Sequence, residues 1–310
     1  MKQKRKTKTR STLQNAEPAV REFLSSVGFS EPVSWERFLR DVESRFGKAG
    51  QDVLKAIDLR ADGEYPDDDF YHLKNGSLSL SLAVTFGVKG GFYASFLSWL
   101  LRVDLPSPSR ILDVGCDNGV LTCFYARQFP DAEVIGIDLH EKSIDRAKEL
   151  AAKTAVPNVS FRVLDLKRAD KTLLGSTFDL VTATHAIEID LEGCRHVSSI
   201  GEVEQLEIAS RDLETLAGVR RMVTPGSGLL LTANSFDDRA IGFWTRLLDH
   251  AGFAIDWARS SILDWRDGDN EKETCPVFVA ENKDGGESWT VDDAAAFCAS
   301  PAFIEKTEPI

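Results

Sequence analysis

Two glycines and two aspartates have the spacing of a site that binds a nucleotide-like ligand. Gly115 and Gly119 follow Asp113 in the run Arg-Ile-Leu-Asp-Val-Gly-Cys-Asp-Asn-Gly of residues 110–119. Its apolar start predicts the end of a buried strand, and the glycines predict a tight turn into a helix. Backbone N–H groups of such a turn can bind a polar ligand. Asp138 comes nineteen residues after Gly119, and its carboxylate can accept hydrogen bonds from both hydroxyls of a ribose.

The elements that must position these residues alternate between strands and helices over most of the chain. Short apolar runs predict strands, and apolar residues at helical spacing predict helices between them. This alternation is typical of an α/β fold with a parallel sheet. The predicted strands are residues 111–114, 133–138, 159–164, 178–185, 228–232, 253–258 and 275–280, and the predicted helices are residues 120–129, 141–152, 202–222 and 240–251.

The last two predicted strands are joined by a short acidic segment around Asp267-Gly268-Asp269. A parallel pair would need a crossover of a dozen or more residues, usually a helix. This segment is too short and too polar for such a helix. We therefore expect the final strand to run antiparallel, as a reversed hairpin.

The glycine spacing separates two classes of nucleotide-binding protein. A dinucleotide-binding turn would carry glycine at positions 115, 117 and 120, whereas this chain has Asp117 and Val120. The run resembles instead the first motif of class I S-adenosylmethionine-dependent methyltransferases, Asp/Glu-x-Gly-x-Gly-x-Gly. Asp113, Gly115 and Gly119 match it, and Asp117 replaces its middle glycine. Aspartate tolerates a left-handed backbone better than most residues with a Cβ.

This resemblance covers residues 108–283 and implies a Rossmann-like, seven-stranded, mostly parallel sheet with an antiparallel last strand. It also implies S-adenosyl-L-methionine as the cofactor and S-adenosyl-L-homocysteine as the product. By the same resemblance, Asp165 would bind the adenine amino group, and Leu139 and Leu166 would cover the ring faces. The complete set of predicted cofactor-binding residues is Asp113, Gly115, Cys116, Asp117, Gly119, Asp138, Leu139, Asp165, Leu166, Ala183 and Thr184.

The predicted reaction is methyl transfer, which is an in-line displacement that depends mainly on alignment of the reactants. A general base would help if the acceptor is a hydroxyl or a protonated amine. His185 at the end of the fourth strand and Glu188 one turn later are the candidates, although His185 can equally line the cofactor pocket. We predict O- or N-methylation of a small molecule. A protein side-chain methyltransferase and a non-catalytic binding or scaffold protein are the alternatives.

The chain divides into four predicted regions: a basic flexible tail over residues 1–16, a mainly helical N-terminal extension over 17–105, the cofactor-binding domain over 106–284, and a C-terminal helix and tail over 285–310. In the extension, Tyr71, His72 or Tyr93 is hypothesised to cover the cofactor or substrate. Packing is the alternative role for these side chains. The acidic run of residues 62–69 is predicted to be a solvated loop, and no metal site is predicted.

Charge and composition limit the partners of this protein. The net charge is −12, although the first ten residues contain six Lys and Arg side chains. An acidic body disfavours nucleic acid as a main partner, except through the basic tail. The apolar run of residues 78–101 is interrupted by Lys89-Gly90-Gly91 and predicts two buried segments, each too short to span a membrane. Five cysteines without a Cys-x-x-Cys pair favour reduced thiols and a cytoplasmic location. A homodimer is also possible from the sequence.

Overall fold

The computed structural model describes residues 12–61, 66–166, 174–187, 210–234, 241, 244–245, 247–249 and 251–282. The extension is helical, and its helices are α1 (Thr12–Asn15), α2 (Pro18–Ser26), α3 (Trp35–Ala61), α4 (Asp67–Lys74) and α5 (Leu78–Leu100). The helices of the following domain are α6 (Val120–Gln128), α7 (Glu141–Thr154) and α8 (Ser210–Met222), and further helical residues lie between 241 and 249.

The strands form one mixed sheet, as the sequence predicts. They are β1 (Arg110–Val114), β2 (Glu133–Asp138), β3 (Val159–Val163), β4 (Leu180–Thr184), β5 (Leu229–Ala233), β6 (Ala254–Ile255), β7 (Ser261–Arg266) and β8 (Lys272–Glu281). Their order is β3-β2-β1-β4-β5-β8-β6, with β7 also paired to β8. Strands β1 to β5 pair in parallel, so their carboxyl ends lie at one edge.

The expectation of an antiparallel last strand is confirmed, because β8 pairs antiparallel with β5 on one side. On its other side β8 pairs antiparallel with both β6 and β7. These two short strands therefore occupy the place of a single interrupted strand, which gives eight strand segments where seven are predicted. A turn between them keeps contact with β8, since the Val279 amide donates to Ser260 Oγ at 3.1 Å.

Alternate residues of the strands enter two apolar layers on opposite faces of the sheet. Ile111 and Leu231 pack with helices α2, α5, α6 and α7, whereas Leu112 and Leu230 pack with α8 and the helical residues near 244. This alternation follows from the period of two along a strand. Both faces are covered, so the sheet is a buried platform and only its edges are open to a ligand.

Helix α5 confirms the prediction of two buried apolar segments that are interrupted at Lys89. It consists of two helical segments joined at a kink, since Lys89 has φ −130° and ψ 17° within it. By length and composition α5 could span a membrane, with a mean hydropathy of 1.3 over its 18-residue window, but 67% of that window is buried inside the protein. The burial is that of a core helix, which packs the extension onto the sheet.

One prediction about the extension changes in part. The acidic run is predicted to be a loop, yet helix α4 begins at Asp67, while residues 62–65 lie outside the described part. Ser34 caps α3, since the Arg37 amide donates to Ser34 Oγ at 3.4 Å. Helix α3 kinks at Gly47 and so consists of two helical segments.

Candidate functional site

The turn after β1 uses left-handed backbone at three positions. The φ angles of Gly115, Asp117 and Gly119 are 66°, 45° and 79°. A Cβ on Gly115 would lie 2.4 Å from the Cβ of Ala186, so glycine is required there by space as well as by conformation. Aspartate at position 117 accepts the same backbone region, as expected from the sequence. The turn therefore brings backbone close to the carboxyl end of β4.

Asp113 is a buried carboxylate held by two hydroxyl groups. Thr122 Oγ1 donates to its Oδ2 at 2.6 Å and Thr182 Oγ1 donates to its Oδ1 at 2.8 Å. Burial raises the pKa of Asp113 to about 6, and the two hydroxyls oppose this rise. Within the described residues no cationic side chain pairs with it. The site thus contains one desolvated negative charge at neutral pH.

Asp138 organises the turn through its two oxygens. The Asp117 amide donates to Oδ2 at 2.8 Å, and the His140 amide donates to Oδ1 at 2.9 Å. Each carboxylate oxygen retains one acceptor position for a further donor. Burial raises the pKa of Asp138. This carboxylate is 7% exposed and lies beside the turn, where its remaining acceptor positions suit the hydroxyls of a ribose.

The other residues predicted to bind the adenine end lie farther along the same sheet edge. Asp165 and Leu166 follow β3, which is the neighbour of β2. Leu166 packs against the apolar layer on the α8 side, whereas Leu139 has 56% of its side chain exposed. An exposed leucine beside Asp138 offers an apolar surface that a flat ring could cover.

A cavity of about 440 Å³ lies between the extension and the carboxyl ends of β1, β4 and β5. Five predicted cofactor-binding residues line it: Asp113, Gly115, Cys116, Asp117 and Thr184. His185, the predicted base, also lines it, whereas Glu188 is outside the described residues. The extension supplies much of the opposite wall, and sequence reasoning did not assign most of these positions to the site. They are Arg60, Phe70, Tyr71, Lys74, Val84, Thr85, Val88, Lys89 and Tyr93.

His185 has an unusual backbone and an unusual environment. Its φ is 52°, in the left-handed region, and its ring packs edge-to-face on Phe92 with centroids 4.9 Å apart. Burial and the nearby Lys89 lower its pKa to about 3, so the imidazole is neutral at physiological pH. Such an imidazole is a weak proton acceptor. Its environment favours a hydrogen-bonding role over proton abstraction.

Helix α4 is connected to the glycine turn by charge and hydrogen bonds. Lys74 pairs with Asp117, and Asn75 Nδ2 donates to Asp117 Oδ1 at 3.2 Å and to Ser143 Oγ at 2.9 Å. Ser81 Oγ in turn donates to Asn75 Oδ1 at 2.6 Å. Because these partners are buried, the network fixes the extension on the turn.

The three side chains predicted to cover the site have different positions. Tyr71 and Tyr93 line the cavity, and Tyr71 also stacks on His140 with centroids 4.6 Å apart. His72 is not among the lining residues, and its Nε2 lies 2.8 Å from Lys142 Nζ. The covering hypothesis therefore stays a prediction for the two tyrosines and loses its geometric basis for His72.

Lys89 is the most informative residue that the sequence reasoning did not select. It is the single charged residue among the 23 of α5, and that isolation was a signal available in the sequence. Its position at the kink directs it to the cavity wall. Burial, followed by repulsion from Lys74, lowers its pKa to about 8.

Residues 106–246 match the family model described as a methyltransferase domain. The trans-aconitate 2-methyltransferase of Streptomyces coelicolor is 27% identical over 207 residues, which cover 56% of this chain and 68% of that protein. The malonyl-[acyl-carrier protein] O-methyltransferase of Acetivibrio thermocellus is 38% identical over 81 residues, or 26% of each chain. The match spans between 20% and 31% of the length of seven curated relatives, including the Acetivibrio thermocellus protein.

Among solved structures, human N-acetylserotonin methyltransferase in complex with S-adenosylmethionine aligns with a TM-score of 0.47 and 13% identity, over 80% of this chain and 70% of that one. The family match assigns residues 106–246 to a methyltransferase domain, and the strand order is the one that the resemblance to class I S-adenosylmethionine-dependent methyltransferases implies. The resemblance that the glycine turn carries in the sequence is thereby confirmed.

Proposed function

We propose that this protein transfers a methyl group from S-adenosylmethionine to an oxygen or nitrogen atom of a small molecule held in the 440 Å³ cavity. The observation that carries the proposal is the continuity of this cavity. It runs from Asp113 and the glycine turn to the residues after β4 and β5. A donor at the first position and an acceptor at the second would be adjacent in one continuous space, as in-line transfer requires.

The residues present fit the cofactor. Glycine at position 115 lets the turn pack closely on Ala186, and the same glycine lines the cavity. Asp138 would hold the ribose, while Asp165, Leu139 and Leu166 would contact the adenine. When bound, S-adenosylmethionine supplies a methyl group on a sulfonium, whose departure needs no protonation.

The chain itself supplies alignment, charge and exclusion of water. Asp113 contributes a buried negative charge that suits the positive charge of the cofactor. Tyr71, Tyr93 and Phe70 line the cavity on the extension side, and over a bound substrate they would lower the local dielectric around the reacting atoms. His185 would orient the acceptor through a hydrogen bond, because its pKa of about 3 makes it a poor base.

A small acceptor is favoured by the volume of the cavity and by the relatives. Trans-aconitate and a malonyl group on a carrier protein are named as the acceptors of two of them. A cavity of about 440 Å³ has the size of a site for a small metabolite. The unpaired thiols of Cys116, Cys123 and Cys275 support a cytoplasmic location within the same proposal.

The proposal is tested by calorimetric titration of the full chain with S-adenosylmethionine, S-adenosylhomocysteine and NAD. We expect the first two to bind and NAD not to bind. Asp138→Ala should weaken S-adenosylhomocysteine binding at least tenfold, since a hydrogen bond to a charged group contributes roughly 1.5–3 kcal/mol. Asp145→Ala, at an exposed aspartate of α7, is the matched control. Binding of NAD alone, or equal affinity in the Asp138 variant, would reject the site.

A further inference from the structure

The part of the cavity beyond the glycine turn carries buried polar atoms without hydrogen-bond partners among the described residues. His185 Nε2 and Asn234 Nδ2 are buried, and neither has a hydrogen-bond partner within the described part of the chain. Both side chains line the cavity. A buried amide donor without an acceptor costs about 1–3 kcal/mol. Buried polar groups that face a cavity without partners are typical of a site that binds a polar ligand.

Lys89 adds a positive charge to the same place. Lys89 lines the cavity together with His185 and Asn234. Its charge lowers the pKa of His185 and opposes the rise that burial causes in the pKa of Cys275. The carboxylates of this region are engaged elsewhere: Asp113 by two hydroxyls and Asp117 by Lys74. Among the described residues, no acidic side chain forms an ion pair with Lys89.

A carboxylate is the ligand that satisfies this set of groups. It accepts up to four hydrogen bonds through two oxygens, and a lysine ammonium with an amide N–H gives it charge and direction. Charge-assisted hydrogen bonds of this kind are about twice as strong as neutral ones. A cationic or purely apolar ligand would leave the ammonium unpaired, which is costly in a desolvated site.

The positions of these groups along the sheet edge indicate which reactant would carry that carboxylate. Asp138 ends β2, and the sheet continues from it through β1 and β4 to β5. His185 and Asn234 follow β4 and β5, on the far side of β1 from the ribose position. The methionine end of the cofactor would meet the glycine turn first, where Lys74 and Asp117 already lie.

We propose that the methyl acceptor carries a carboxylate that binds Lys89 Nζ and Asn234 Nδ2, so that the substrates of this protein are small organic acids. The inference rests on the proposed function, since it names the acceptor class of the same site. It makes Lys89 a residue that determines substrate specificity. The carboxylate that binds Lys89 positions the acceptor, and the reacting atom faces the glycine turn.

The experiment titrates the full chain, saturated with S-adenosylhomocysteine, with trans-aconitate and malonate and with their neutral methyl esters. We expect at least one of the two acids to bind, and its ester to bind at least tenfold more weakly. Lys89→Met should weaken binding of that acid at least tenfold, whereas Lys89→Arg should retain most of the affinity. Lys148→Met, at an exposed lysine of α7, should change nothing. Asn234→Ala provides a second variant if Lys89→Met does not fold.

Several outcomes would overturn the inference. Equal binding of acid and ester, or no binding of either acid, would show that the site does not recognise a carboxylate. A loss of S-adenosylhomocysteine affinity in Lys89→Met, without a specific effect on the acid, would assign Lys89 to the carboxylate of the cofactor. Failure of S-adenosylhomocysteine to bind the unaltered protein would reject the proposed function itself and this inference with it.

Discussion

Two halves of the site lie side by side on one sheet edge, and their polar side chains have different partners. In the cofactor half, around the glycine turn and Asp138, the carboxylates accept hydrogen bonds from backbone amides and hydroxyls. In the acceptor half, around Lys89 and Asn234, donors face the cavity without acceptors in the described residues. The first half is organised by the protein's own hydrogen bonds, whereas in our proposal the polar groups of the second half are paired by a ligand.

This difference explains why the cofactor is easier to recognise than the acceptor. The preorganised cofactor half needs particular residues at fixed spacing, because its backbone conformation and internal hydrogen bonds must form before any ligand binds. The acceptor half needs only complementary charge and volume, which several residue types from distant elements can supply. Each of the following predictions tests whether the two halves respond differently to change.

The largest effect is expected in the cofactor half, from Gly115→Ala. The φ of 66° disfavours any Cβ, and the new atom would lie 2.4 Å from Ala186. We expect the affinity for S-adenosylhomocysteine, measured by calorimetry, to fall at least 100-fold. Gly218→Ala is the control, because a Cβ there meets only Arg221 Nη2 at 3.7 Å. Unchanged affinity in Gly115→Ala would mean that the turn is not preorganised for the ligand.

The next effect concerns Asp113, whose pKa is raised from 3.8 to about 6 in the folded protein. The unfolded chain therefore loses this proton first, and the folded state loses stability as pH rises from about 4 to 6. A shift of this size corresponds to about 3 kcal/mol. We expect Asp113→Asn to gain up to that amount over the unaltered protein between pH 4 and 7, while its affinity for S-adenosylhomocysteine falls.

Chemical denaturation of both proteins at pH 4.5 and pH 7 measures this difference. The charge of Asp138 is one cause of the raised pKa of Asp113, so the measured difference includes the interaction between these two carboxylates. A difference in the free energy of unfolding that stays constant with pH would contradict the prediction. A gain in stability with a loss of binding would show that the charge of Asp113 serves the ligand and not the fold.

The same contrast appears in what the sequence could predict. The bounds of β2 and the start of α6 can be predicted from the sequence, because an apolar strand and a glycine turn depend on neighbouring residues. The antiparallel β8 follows from a short connection. Lys74 and Lys89 reach the site only because α4 and α5 pack over the sheet edge, and no local pattern specifies that packing.

The isolated charge of Lys89 was visible in the sequence, yet its meaning depends on the tertiary structure. Next to two glycines it predicts a break between apolar segments, and the structure has a kink there within one helix. The kink places the ammonium at the cavity instead of in solvent. The local sequence pattern therefore predicts the irregularity at Lys89, but it does not predict that the Lys89 side chain faces the cavity.

The smallest predicted effect, in the acceptor half, is a pH dependence of acid binding. The pKa of Lys89 is about 8, because burial and the cations Lys74 and Arg60 outweigh the influence of Asp117 and Cys275. Its charge, and with it the attraction for a carboxylate, is complete well below pH 8 and is lost as pH rises through that value. His185, with a pKa of about 3, stays neutral throughout.

Calorimetry with the tightest-binding acid should therefore show affinity about twofold lower at pH 8 and about tenfold lower at pH 9 than at pH 6.5, as follows from one titrating group. Lys89→Arg should keep its affinity over this range, since arginine does not titrate there, and Lys89→Met should bind weakly at every pH. Binding of S-adenosylhomocysteine should be unaffected in all three proteins. A parallel loss of S-adenosylhomocysteine affinity above pH 8 would contradict the division of the site into two halves, because Lys89 would then interact with both ligands.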